Sequence, residues 1–389
     1  MAQQAESGSL VHALLYTPNN RFPTPRTWTP RGGLQHVVSK YVAIPEKDSD
    51  SDGTLTVQQD DTIVIDTGSS DAVWAVAFHH CSDGTYVLGT SSDGVRRWRL
   101  ADGQGAGKQT GVTIRSISVS KDNKWIVCGT MRGASVWDAD VLEKVVEVEG
   151  TNAVAAVDMA PDSTRFATGI ADSDATASIW SVVTGQRLVG PLQHDDDVID
   201  IKFSPNGQHI ATACYRGSIR VFDTTNSDLL VNIMTTIPSR VPNTPIAWSN
   251  DGERIFAVCD NNQAKSFHVA TGSTLAESQV LDGGNVWSIA IGTHGKFIAT
   301  FAGHSISFLD TSSLAQIGPV IQDSGRPRSI SLSPDGRYLA IGQFEGKIIV
   351  RNLGGILPDL YGPFQVSMFS LHSVGTSDNL NIPSCVDEC

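Results

Sequence analysis

The 389-residue chain has no run of about 20 apolar residues, the length a membrane-spanning helix needs. Cations are scarce: 28 Lys and Arg stand against 41 Asp and Glu, a net charge of −13. This argues against general binding to nucleic acid or an anionic membrane, and neither is expected as a partner, because neutralising phosphates takes clustered Lys and Arg. The opening MAQQAESGSLVHALLY lacks the basic leader and long apolar stretch of a secretory signal, and Asn-x-Ser/Thr sequons are missing. The expected location is therefore intracellular, cytoplasmic with the nucleus left open. Cysteines number six. Cys128, Cys214 and Cys259 sit in or beside apolar runs, where a thiol behaves as a small hydrophobe. Cys385 and Cys389 are one isolated pair, too sparse for a zinc site, and CVDEC does not match a prenylation box.

Motifs of chemistry are equally sparse. A nucleophile elbow, an H-E-x-x-H helix and clustered metal ligands are all missing. DSDSDGTLTVQQ, from Asp48 to Gln59, copies half a calcium loop: Asp48, Asp50 and Asp52 alternate and Gly53 supplies the turn. Its twelfth position is Gln59 instead of a bidentate Glu, and its flanks are strand-like. An acidic hairpin loop is the expectation. DGQGAGKQT, Asp102 to Thr110, begins on Asp where a phosphate loop needs Gly, and Gln109 follows Lys108. It is expected to be a flexible hairpin loop. His79, His80, His294 and His304 occupy turn or loop positions. The sequence thus predicts no catalytic residue, no cofactor and no metal.

What is present is repetition. Seven strand–turn–strand units run from about Val73 to Leu353, with turns at Asp83, Asp122, Asp162, Asn206, Asp251, His294 and Asp335. These are spaced 39, 40, 44, 45, 43 and 41 residues apart. In each unit an alternating strand, with a slip near its start, leads through an Asp/Asn/Gly turn to a continuous apolar strand such as WIVC or HIATA. A third strand ends in Trp98, Trp137, Trp180, Phe222, Phe267 or Phe308, with Val350 in the last unit, and a looser fourth follows. A four-stranded sheet cannot bury both faces alone, whereas a closed ring of such sheets can. The predicted fold is an all-β, seven-bladed β-propeller of four-stranded antiparallel blades, folding as one cooperative unit.

The fourth unit aligns His194, Asp196, Val198, Ile201, Phe203, Ser204, Pro205, Asn206 and Gly207 with H-x-D-x-V-x-x-V-x-F-S-P-D-G, and the second contains Trp137-Asp138. In these residues the chain resembles the WD-repeat β-propeller family over roughly 280 residues, a span fixed by its repetition. The repeats are degenerate, and the arrays are similar to those on STAND-type signalling NTPases. The family's His–Ser/Thr–Asp–Trp network would place its Asp at Asp93, Arg132, Asp174, Arg216, Asn261, Ala302 and Glu345, so no unit keeps the whole set. Residues 1–60 are expected to be an irregular extension, 61–365 the propeller and 366–389 a flexible tail. DTIVIDTG or LYGPFQV would close the ring, and an eighth blade built from KYVAIPEKDSDSDGTLTV stays open.

The resemblance implies a non-catalytic, monomeric scaffold that binds a protein or peptide on the top face. An enzyme with a small-molecule site in the central channel is the alternative, and a detached STAND sensor domain a third. In a WD-repeat blade the residue after the first apolar position of the inner strand points to the top rim. That register selects Trp74, Arg115, Ala155, Ile199, Thr244, Trp287 and Arg328. The second turn adds Ser92, Met131, Ser173, Tyr215, Asp260, Phe301 and Phe344. The binding set expected from these is Trp74, Arg115, Tyr215, Trp287, Phe301, Arg328 and Phe344, since Trp, Tyr and Arg dominate interface hot spots.

Overall fold

The structure, a computed structural model, describes residues 55–58, 62–109, 112–150, 152–171, 175–215, 217–235, 245–259, 262–281, 286–292 and 294–361. Most of the N-terminal extension, including most of the calcium-like loop, and the tail from 366 lie outside the described residues. Seven antiparallel sheets form seven blades. Their inner strands are Val76–Cys81, Ile114–Val119, Ala153–Met159, Val198–Phe203, Ile246–Trp248, Val286–Ile291 and Pro327–Leu332, in blades 1 to 7.

The last blade has five strands because Thr62–Asp66 adds to its strand Lys347–Asn352, and Leu55–Gln58 adds to Thr62–Asp66. Ile65 faces Ile348 and is fully buried, and Thr67 Oγ1 donates to the Gly346 carbonyl at 2.6 Å. The N-terminal candidate therefore closes the ring. Among the described residues there is no eighth blade: Leu55–Gln58, at the end of the segment considered for one, joins the last sheet instead. Of LYGPFQV, Leu360 and Tyr361 end a short helix, Pro358–Tyr361, and the rest lies outside the described residues.

The turn between the first two strands of each blade is built from its sequence. The carboxyl or amide oxygen of Asp122, Asp162, Asn206, Asp251 and Asp335 accepts the backbone N–H two residues on, at 2.9–3.2 Å. The next residue then takes positive φ, as at Gly207 (69°) and Gly336 (72°), a conformation that glycine adopts without strain. Gly105–Gln109, expected as part of a flexible loop, is instead the outer strand of blade 1. A Cβ on Gly105 would lie 2.9 Å from Trp98 Nε1, so a small residue lets the indole cover this edge.

Packing is layered. Seven apolar clusters form, one between each pair of neighbouring blades. Trp98, Trp137, Phe222 and Phe267 each fill the layer shared with the preceding blade. Phe308 does not. Leu309 pairs with Ile298 and takes that slot, while Phe308, one residue earlier, faces the seventh blade. A one-residue shift in a strand exchanges the faces.

Fragments of the buried polar network persist. Trp180 Nε1 donates to Thr168 Oγ1 at 2.9 Å, and Trp137 Nε1 to Ser135 Oγ at 2.8 Å. His194 lies 2.9 Å from the Leu192 carbonyl through Nδ1 and 2.8 Å from Thr212 Oγ1 through Nε2, with the Phe222 ring edge-on at 5.5 Å. The carbonyl can only accept, so Nδ1 carries the proton and Nε2 accepts from Thr212.

Three outcomes follow from this packing. Trp137→Ala should cost about 3–5 kcal/mol and Ile65→Ala about 2–5 kcal/mol, read by denaturant unfolding, since each empties a closed apolar layer. Burial lowers the His194 pKa to about 4 from an ordinary 6.5. The folded state therefore disfavours the imidazolium: its contribution is complete above pH 6.5 and is lost as pH falls towards 4, about 3 kcal/mol in all. His194→Gln should flatten that limb of the melting temperature against pH, and an unchanged limb would contradict the assignment.

Candidate functional site

Five inner strands carry a β-bulge at their start. The register slips between Ile114 and Ser116, Val154 and Ala156, Val198 and Asp200, Val286 and Ser288, and Pro327 and Ser329. The skipped residues are Arg115, Ala155, Ile199, Trp287 and Arg328. In blade 1 the same geometry lies just before the strand: Trp74 N donates to the Thr90 carbonyl at 2.8 Å, and Thr90 N to the Ala75 carbonyl at 3.0 Å. A bulge leaves one residue outside the ladder and re-aims its side chain. The irregularity that reads in sequence as a slip is thus the device that presents the rim.

Across blades 7, 1 and 2 these side chains stack. The Arg328 guanidinium lies 3.7 Å from the Trp74 ring centre and 4.7 Å from that of Phe344. Arg115 lies 5.7 Å from the Trp74 ring, and Arg326 5.2 Å from Phe344. The order is Arg115, Trp74, Arg328, Phe344, Arg326. Arg328 is only 6% exposed, and burial, then the Arg115 charge, brings its pKa down to about 10. It stays protonated at neutral pH, held between two aromatic faces. Trp74, Arg115 and Phe344 are half-buried, and Arg326 is exposed and paired with Glu345 at 2.7 Å.

Four of the expected binding residues, Trp74, Arg115, Arg328 and Phe344, are thus brought together. Tyr215 is half-buried against the layer between blades 4 and 5, with Ile199. The backbone of Trp287 is at its bulge, but its side chain lies outside the described residues. Phe301 is fully buried, in the layer between blades 6 and 7. Its strand, Phe297–Ala302, extends one residue past Phe301, whereas Tyr338–Gln343 stops directly before Phe344. Phe301 opposes Ser288 as Gly342 opposes Ser329, so it stands two positions before the one Phe344 fills, inside the paired strand. Thr244, Ser173 and Asp260 lie outside the described residues.

A channel of about 460 Å³ runs inside the inner strands, and of the residues lining it Arg115, Asp200 and Lys202 are charged. Asp200 is spent on structure: Oδ1 accepts the Ile201 N–H at 2.9 Å, Oδ2 accepts the Ile246 N–H at 3.1 Å, and Lys202 Nζ lies 3.8 Å away. Burial pushes its pKa up to about 6. Asp158, raised likewise by burial, accepts the Phe203 N–H at 2.9 Å and lies 3.6 Å from Lys202. Both carboxylates are thus bonded to backbone N–H groups and paired with Lys202.

One group of side chains was missed in the sequence. His79, Cys81 and Asp140 bring a ring nitrogen, a thiol and a carboxylate within 4.8 Å of one another. The H-x-C spacing puts the first two on one face of a strand, but the third comes from the next blade. Among the described residues no helix is long and apolar enough to cross a membrane.

A family profile described as "WD domain, G-beta repeat" matches residues 142–181 and 186–223, which cover strands of blades 2 to 4. Actin-interacting protein 1 of Drosophila melanogaster is 30% identical over 185 residues, 44% of this chain and 28% of that protein. The intraflagellar transport protein 122 homolog of Xenopus tropicalis is 21% identical over 290 residues, 72% of this chain and 24% of that protein. The serine-threonine kinase receptor-associated protein of Gallus gallus is 25% identical over 227 residues, 56% and 62% of the two chains. The chain spans about a quarter of the length of the first two relatives. Seven blades of repeated sequence, with this match inside them, make the fold a WD-repeat β-propeller.

Proposed function

We propose that the protein is a non-catalytic interaction scaffold that receives a protein or peptide on the rim formed by Trp74, Arg115, Arg328 and Phe344. The observation that carries this reading is the alternating stack of guanidinium and aromatic groups, lifted out of the strand ladders by bulges. Packing alone does not need it, because each blade interface already has its own apolar layer. Arginines held by stacking keep their N–H groups directed and lose little entropy on binding, which suits a hot spot. Three of them close together in a chain of net charge −13 favour a partner segment bearing carboxylates. Support comes also from relatives named for interaction, one with actin and one with a kinase receptor. Only the general capacity to bind proteins is carried over, not those partners.

The test is capture from native lysate by the wild type, by Trp74→Ala with Arg115→Ala, and by Val183→Ser, a control at an exposed position in blade 3. Partners taken by the wild type and the control should be lost, with affinity falling at least about tenfold, from the rim variant. Its melting temperature should move by only a few degrees. Undiminished capture would contradict the reading, and unfolding would return Trp74 to the structural core.

A further inference from the structure

The cluster at the far end of the first inner strand from Trp74 has the features of a coordination site. His79 and His80, expected in a turn or loop, lie instead on the strand Val76–Cys81; His79 is fully buried, and its Nε2 lies 3.0 Å from the carbonyl oxygen of Asn123, in the first turn of blade 2. A carbonyl only accepts, so Nε2 carries the proton and Nδ1 presents its lone pair. Cys81 Sγ lies over the ring, 3.2 Å from Nδ1 and 3.6 Å from Nε2, while the Nε2–H stays on the carbonyl. This is the arrangement of a metal-ligating imidazole, in which the second ring N–H is anchored on a backbone carbonyl and fixes tautomer and orientation.

Asp140 is held to the same point from blade 2. Arg97 donates to the carbonyls of Ala139 and Asp140 at 2.6 and 2.7 Å. Asp138 takes over the capping of that turn, its Oδ1 accepting the Asp140 and Val141 N–H groups at 2.9 and 3.1 Å. The Asp140 carboxylate is therefore not used by its own turn and meets the Cys81 thiol instead. All three donor atoms lie within 4.8 Å of one another, Cys81 half-buried and Asp140 exposed, so an ion has a path from solvent.

We propose that His79, Cys81 and Asp140 bind a divalent transition-metal ion of borderline softness, with zinc as the type, and that the ion bridges the first two blades. Thiolate, imidazole and carboxylate are a ligand set for such ions. Tetrahedral bonding at the usual Zn–S and Zn–N lengths sets S···N at roughly 3.5 Å. With Sγ now over the ring face, the Cys81 side chain swings toward the imidazole plane to share the ion with Nδ1. One thiolate and one carboxylate balance the 2+ charge, and a water completes four-coordination. The S–H bond of Cys81 breaks, its proton goes to solvent and a metal–sulfur bond replaces it, so each ion bound releases one proton. Burial and the Asp140 carboxylate hold the thiol pKa up at about 11, and the nearby Arg97 charge opposes them.

The experiment is a titration of the full chain with Co²⁺ under reducing conditions, in a Cys385→Ser/Cys389→Ser background that removes the tail thiols. Thiolate-to-cobalt charge-transfer absorption and proton release are both recorded. One saturating equivalent with about one proton released is expected. The absorption should vanish in Cys81→Ser, and Asp140→Asn should weaken binding about tenfold or more. No charge-transfer band in the background protein, or an equal band in Cys81→Ser, overturns the proposal. Should Cys81→Ser fail to fold, Asp140→Asn decides, because its site is exposed, and unchanged affinity there overturns the proposal as well.

Discussion

An inner strand of a propeller blade pairs on one side only, and the N–H groups on its other edge must find acceptors away from bulk water. Side chains of the preceding blade supply them. Ser116 and Ser118 Oγ accept from Val157 N and Met159 N, each at 3.1 Å. Asp158 accepts from Phe203 N at 2.9 Å, Asp200 from Ile246 N at 3.1 Å, and Ser329 from Val76 N at 3.2 Å across the ring closure. Each amide left without such a partner would cost about 1–3 kcal/mol. The apolar layers hold the blades together, and this polar stitching sets their register around the channel. It also uses Asp200, the acidic residue that lines the channel, as a backbone acceptor.

The same edge produces the candidate binding surface. Where the stitching begins, the strand bulges, and the displaced residue is carried to the rim. At the seam between the last and first blades three such residues converge with Phe344. Closure by Thr62–Asp66 is thus a condition for the site as well as for the fold, because Trp74 follows that strand directly and is stacked on a residue from the other end of the ring.

Much of this was legible beforehand. The turn spacing gives seven units, and the Asp/Asn-Gly turns give the hairpins, because both are local. The register at Trp74, Arg115 and Arg328 comes from the resemblance to WD-repeat blades, and the slip in alternation near it is the bulge. Phe301 and Phe308 could not be placed. Pairing in blade 6 decides where an aromatic falls, and a shift of one residue at Phe308 or two at Phe301 leaves no mark on composition. The stack between Trp74 and Arg328 and the trio of His79, Cys81 and Asp140 were equally out of reach, because their members meet only when the ring closes or when neighbouring blades dock.

Native-state hydrogen exchange resolved to single amides tests the stitching most directly. The account predicts that the amides of Val76, Val157, Met159, Phe203 and Ile246, which point away from their own sheets, are protected as strongly as paired amides of the central strands. Exchange of these five at the rate of open turn amides would show that the inner edges are simply solvated, and would contradict the account.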